Sequence, residues 1–201
     1  MEESNFEPDR NADKDSLSMI ILAGGLSRRM GTDKSDLRYR DQTFLDIQIE
    51  KGRKLGIEDI LVSGYRGLKC QVPVVMDRLK ERGPLGGMEA CFVCARHERC
   101  LVLSVDTPLV SVSELQKLIQ RDRESSNLIT ILRHGEKQEP LIGVYSTRLS
   151  ESIAAALAKG NGSVFAFLKK TGYGEYESTG NELQFQNINE KADYRRLQEK
   201  L

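Results

Sequence analysis

SMIILAGGLSRRMGTDKSDL, residues 18–37, opens as a short apolar run, passes the adjacent glycines Gly24 and Gly25, and then gathers Arg28, Arg29 and Lys34. Reading SMIILA as a buried strand places the two glycines just beyond its carboxyl end. Glycine there gives the backbone access to positive φ and lets a ligand approach the peptide groups closely. Exposed N–H groups beside arginine and lysine form a natural cradle for phosphate. The spacing is not that of a Walker A loop, since Gly25 and Gly31 are six apart and Lys34 follows three later. Nor is it G-x-G-x-x-G, so the common dinucleotide-binding turn is also excluded.

Outward from this stretch, extended and helical patterns alternate. MIILA, DILVSGY, VPVVMD and CLVLSVD are short, apolar and bounded by turn residues or charge. Between them, TFLDIQIEKGRKLG, PLGGMEACFVCARH and VSELQKLIQRDRE carry helical spacing. This predicts an α/β fold built from βαβ units, with a mostly parallel central sheet and helices on both faces. Ligands of such sheets bind beyond the carboxyl ends of the strands. Further on, NLITILRHGEKQEPLIGVYS reads as two extended runs joined through His134-Gly135, and RLSESIAAALAKG and SVFAFLKKTG as helices stopped by Gly160 and Gly172. YGEYES and LQFQNIN are expected as short strands, and EKADYRRLQEKL as a closing helix. Residues 1–17, polar and rich in acid, are expected to form a disordered tail, and residues 18–201 a single domain.

The chain has 201 residues, and its 30 lysines and arginines balance 30 aspartates and glutamates. That balance argues against nucleic acid or an anionic membrane as partner. No apolar run approaches the roughly 20 residues of a membrane-spanning helix. The acidic start is unlike a targeting peptide, and a cytoplasmic location with reduced thiols is expected for the four cysteines. Cys91, Cys94 and His97 raise a metal reading. Their steps of three inside a helical pattern drift around the helix, so packing thiols are the better reading.

LAGGLSRRMGTDK, Leu22 to Lys34, resembles the signature L-A-[AG]-G-x-S-x-R-M-G-x-x-K of nucleotidyltransferases, and most closely that of the molybdenum cofactor guanylyltransferase family. The resemblance implies a single Rossmann-like three-layer domain of the nucleotide-diphospho-sugar transferase type. It implies that Leu22, Ala23, Gly24 and Gly25 wrap the nucleotide, and that Arg29 and Lys34 neutralise its phosphates; the LAGG spelling accompanies GTP. Downstream, VVMDRL carries Asp77 where the family recognises guanosine, and RGPLGGMEA matches its G-P-L-[AG]-G-[MIL] segment. LVLSVDTPLV places Asp106 where the family's aspartate binds Mg²⁺, an ion satisfied by one or two carboxylates plus phosphate oxygens. Ser63, in LVSGYR, stands where the family usually shows an asparagine contacting nucleotide. QEPLIGVYS and FQNINEKADYRRL resemble acceptor-side segments through Pro140, Asn187 and Asn189, with Glu190-Lys191 replacing the family's Thr-Pro.

What the resemblance implies as chemistry is transfer of GMP from GTP, with Mg²⁺, to the terminal phosphate of molybdopterin, with pyrophosphate released. Arg29, Lys34 and Asp106 would carry it, with transient contacts to cofactor-supplying proteins and molybdoenzymes. An anionic acceptor oxygen needs no general base, and neither histidine, His97 or His134, falls in a motif. Alternatives from the same sequence are CTP with molybdopterin, a nucleotide with a sugar or alditol phosphate, or a non-catalytic protein that binds GTP or the cofactor.

Overall fold

The computed structural model describes residues 16–24, 34–67, 70–78 and 82–199. The first strand, β1 (Leu17–Leu22), begins one residue inside the stretch expected to be tail; residues 1–15 lie outside the described part. Its side chains alternate without exposing a polar face. Met19 and Ile21 enter one apolar cluster and Ile20 and Leu22 the other, which is why the run is continuously apolar. Seven strands make the main sheet: β1, β4 (Asp59–Ser63), β5 (Val74–Val75), β6 (Arg99–Ser104), β7 (Ile129–His134), β8 (Lys137–Ser146) and β9 (Gly174–Glu177). They lie in the order β5-β4-β1-β6-β8-β7-β9. β8 runs antiparallel to both β6 and β7, and the other ladders of the sheet are parallel.

Helices cover both faces, completing a three-layer α/β domain. On one side α1 (Phe44–Lys54), α3 (Val112–Arg123) and α6 (Lys191–Gln198) bury Phe44, Ile49, Leu115, Leu118 and Leu197. On the other, α2 (Gly83–Cys94), α4 (Ser150–Ala158) and α5 (Val164–Thr171) bury Leu85, Met88, Ile153, Leu157 and Phe167. Thr43, Ser111 and Ser163 cap α1, α3 and α5 by accepting a backbone N–H three residues on. Gly160 and Gly172, at φ 78° and 81°, end α4 and α5 as the spacing predicts.

One local expectation is corrected. LQFQNIN is not a strand: Asn181 accepts the N–H of Leu183, turning the chain into a 3-10 helix over Glu182–Phe185. Phe185 and Ile188 are buried three residues apart, a period that no strand supports. RYRDQT, unassigned by pattern, forms a small separate hairpin of β2 (Arg38–Tyr39) and β3 (Gln42–Thr43), turned through Arg40 at φ 55°. Tyr194 and Gln198 of α6 both donate to the carbonyl of Arg38, 2.7 and 3.2 Å away, and so bind the C-terminal helix to this hairpin.

Cys91 and Cys94 occupy α2, the former buried and the latter exposed. All four cysteines are free thiols; burial pushes the Cys91 thiol far up and Cys100 up to about 12, holding both protonated and unreactive. Among the described residues no helix is long and apolar enough to cross a membrane.

Candidate active site

Three neighbouring parallel strands, β1, β4 and β6, end along one edge, and hydrogen bonding continues past their last residues. Ala23 N–H donates to Ser63 O (3.1 Å), Val105 N–H to Leu22 O (3.1 Å) and Gly64 N–H to Val75 O (2.9 Å). The chain turns after β1 and β4 meet backbone to backbone. A Cβ on Gly64, whose φ is 71°, would lie 2.9 Å from Gly24 Cα, so both conformation and contact require glycine there. Leu22, Ala23, Gly24 and Ser63 are thus brought together at this edge. Gly25 and Arg29 lie outside the described residues.

Asp77 follows β5 and is fixed from β4, because Ser63 Oγ donates to its Oδ1 at 3.0 Å. Ser63 in turn is packed by α2. A Cβ on Gly87 would stand 2.1 Å from Ser63 Oγ and 3.3 Å from Leu22 Cδ2. Gly87 is therefore a close-packing residue: it lets α2 lie on the strand ends that carry Ser63. Arg78, next to Asp77, donates through Nε to the buried Glu89 of α2 at 3.3 Å and ties the same segment down.

The charged centre is built from three distant stretches. Lys34 opens a 3-10 turn (Lys34–Asp36), and its Nζ lies 3.3 Å from Asp106 Oδ2 beyond β6. The same ammonium donates to Asn189 Oδ1, ahead of α6. Both members of the ion pair are about one-fifth exposed, open to solvent yet partly shielded from it. Asp106 is anchored by its carbonyl, which accepts Ile188 N–H at 2.8 Å. Asn189 is anchored by Asp193, whose Oδ2 accepts the N–H groups of Asn189 (3.1 Å) and Glu190 (3.0 Å). Tyr65 OH, just past β4, donates to Asp36 Oδ1 at 3.1 Å and holds the lysine-bearing turn against the strand edge. Asn187 is half-buried between Asn189 and the buried Phe185. Pro140 is buried in β8 with its carbonyl accepting the Tyr145 hydroxyl.

Several organising residues escape motif reading. Gln48 and Lys51 of α1 reach under the Asp106 loop, and Glu114 of α3 gathers Ser178, Tyr176 (3.0 Å) and Lys117 (2.9 Å) beneath the C-terminal segment. Burial alone would raise the Glu114 carboxyl, but the donors from Ser178, Lys117 and Tyr176 hold it below its usual range. The signal was present as polar residues on helix faces otherwise made of Phe44, Leu45 and Ile49, or Leu115 and Leu118.

The centre suits a divalent metal that prefers hard oxygen donors. Asp106 Oδ2 and Asn189 Oδ1 converge on one cation, here the lysine ammonium, and both are the ligand type that Mg²⁺ takes alongside phosphate oxygens and water. An arrangement of this kind, with an ammonium held beside a carboxylate at the carboxyl edge of a parallel sheet, is that of a nucleotidyltransferase. The chain belongs to the MobA-like NTP transferase family, whose model matches residues 19–173. It is 30% identical over 192 residues to a probable molybdenum cofactor guanylyltransferase of Aquifex aeolicus, covering 92% of this chain and 93% of that protein. It is 34% identical over 154 residues to the molybdenum cofactor guanylyltransferase of Syntrophotalea carbinolica, covering 76% of this chain and 73% of that one. In fold it superposes on molybdopterin-guanine dinucleotide biosynthesis protein A of Archaeoglobus fulgidus with a TM-score of 0.78, at 19% identity over 90% of this chain and 97% of that one.

Proposed function

We propose that this enzyme transfers GMP from GTP to the terminal phosphate of molybdopterin, releasing pyrophosphate. The observation that carries the reading is the convergence of Lys34, Asp106 and Asn189 at the ligand edge of the sheet, in a chain whose relatives are named for this transfer. The obstacle to the reaction is bringing two polyanions together. At 4 Å, two unit charges repel by about 4 kcal/mol at an effective dielectric of 20. Positive charge fixed before the substrate arrives removes that barrier without reorganisation at the moment of reaction.

Lys34 is held in that way. In the free protein its ammonium neutralises Asp106; with triphosphate bound, it neutralises phosphate oxygens and the charge that develops on the departing pyrophosphate. The family signature assigns Arg29 to the phosphates as well. Asp106, with Asn189, supplies the oxygens that hold Mg²⁺, which when bound polarises the phosphate and screens its charge. Gly24 and Gly64 let the nucleotide lie close to the backbone, and the Asp77 carboxylate accepts the N–H groups of guanine. No side chain is needed to take a proton, because the acceptor phosphate is already anionic. His97 sits in the turn leading into β6, at the opposite edge of the sheet, and His134 stacks against Phe185 at 5.1 Å.

The test is a panel of four nucleoside triphosphates with metal-loaded molybdopterin and Mg²⁺, read as pyrophosphate release and dinucleotide product. GTP is expected to react, and Asp106→Ala to abolish transfer while retaining the native circular dichroism spectrum. Preferential turnover of CTP would replace the guanylyl assignment. GTP binding without turnover would remove the catalytic one.

A further inference from the structure

Gln48 and Lys51 lie one turn apart on the buried face of α1, outside every motif that resembles the family. Both hydrogens of the Gln48 amide are engaged, on Ser104 O at 2.8 Å and Thr107 O at 3.1 Å. Its own oxygen accepts from Lys51 Nζ at 3.0 Å, and Lys51 also donates to Pro108 O at 2.8 Å. Three carbonyls of the Ser104–Pro108 stretch are therefore turned inward onto one helix. Asp106, in the middle, is turned the other way, with its carboxylate on Lys34.

Both partners of Lys51 are neutral carbonyl oxygens, and burial pushes its amine down to about 7. A buried ammonium facing only carbonyls is an unfavourable way to fill space, and a methionine would fill the same volume at lower cost. What the lysine and glutamine provide, and an apolar pair would not, is a set of donors that fixes where the Ser104, Thr107 and Pro108 carbonyls point. Loop carbonyls need such partners once buried, and α1 supplies them for Ser104, Thr107 and Pro108, while Ile188 N–H serves Asp106.

We propose that Gln48 and Lys51 are positioning residues that hold the Ser104–Pro108 loop so that Asp106 meets the metal and triphosphate in register with Lys34. The inference rests on the metal role of Asp106. Removal of outer-shell partners of this kind weakens metal binding by about 10- to 100-fold.

The experiment compares wild type with Lys51→Met, Gln48→Glu and, as a control, Ile49→Val, which trims the same helix on its core side and leaves the donors to the loop carbonyls in place. Gln48→Glu keeps an acceptor for Lys51 and so protects the fold, but it presents a carboxylate oxygen where the loop carbonyls need a donor. Binding of Mn²⁺ in the presence of GTP is followed by the electron paramagnetic resonance signal of free Mn²⁺. GTP KM and kcat at saturating metal and thermal melting are measured in parallel. The expected result is Mn²⁺ affinity reduced about 10-fold or more in Lys51→Met and Gln48→Glu, with kcat falling and GTP KM little changed, and wild-type Mn²⁺ affinity in Ile49→Val. A folded Gln48→Glu or Lys51→Met with wild-type Mn²⁺ affinity overturns the proposal, as does an equal loss in Ile49→Val. Failure of the wild-type protein itself to bind Mn²⁺ with GTP would instead overturn the metal role of Asp106.

Discussion

Replacing Gly87 by alanine tests the linkage between α2 and Asp77 through Ser63. The new methyl would stand 2.1 Å from Ser63 Oγ and 3.1 Å from Ser63 Cβ. Ser63 is 2% exposed, so its hydroxyl must rotate within a closed space and give up its bond to Asp77 Oδ1. A hydrogen bond to a charged group contributes about 1.5–3 kcal/mol. Alanine inside a helix returns about 1 kcal/mol relative to glycine. The net expectation for Gly87→Ala is a loss of about 0.5–2 kcal/mol of stability. In a Ser63→Ala background the 2.1 Å clash is absent, and the same change should be neutral or stabilising by up to about 1 kcal/mol. The coupling between the two sites is then about 2 kcal/mol, well within reach of a double-mutant cycle in urea. GTP affinity, by calorimetry, should fall in Gly87→Ala because Asp77 loses its fixed donor. An equal ΔΔG for Gly87→Ala in both backgrounds would refute the reasoning.

Lys34→Ala should lower kcat at saturating GTP by about 100-fold, the effect of removing one preorganised group from the transition state; an unchanged kcat would remove Lys34 from the chemistry. Lys51 gives stability a distinctive pH dependence. Burial holds its folded pKa at about 7, below the ordinary lysine value of 10.5, so between these limits the unfolded chain binds more protons and stability rises with pH. From pH 7 to 9 wild type should gain about 2 kcal/mol relative to Lys51→Met, at roughly 1.4 kcal/mol per unit, with little difference in slope below pH 6; parallel curves in denaturant melts would contradict this. Asp193→Ala removes the acceptor for two N–H groups at the start of α6 and should cost about 1 kcal/mol of stability. By releasing Asn189 from its place beside Lys34 it should also reduce activity more than its stability loss explains, as read by turnover well below the melting temperature.

Much of this protein follows from its sequence alone. MIILA and CLVLSVD, apolar on both faces, are sufficient to specify strands covered by helices on either side. Glycine, proline and the capping hydroxyls mark where helices begin and stop. The glycine-rich turn after β1 and the aspartate after β6 were placed at one edge of a parallel sheet by topology, since strands running the same way end on the same side. LQFQNIN misled because short apolar spacing does not distinguish a strand from a segment anchored at Phe185 and Ile188. Its shape is set by the Asn181 turn and by the Ile188 bond to Asp106.

Only the tertiary structure decided which side chains share a site. Lys34 meets Asp106 across 72 residues and Asn189 across 155, distances at which no local pattern carries information. The same holds for Gln48 and Lys51. As polar residues on an apolar helix face they were visible, but their partners are loop carbonyls more than fifty residues away. Local sequence reports how often a residue is buried, through the periods of helix and strand. Strand order and the packing of helices onto the sheet determine what that buried residue faces.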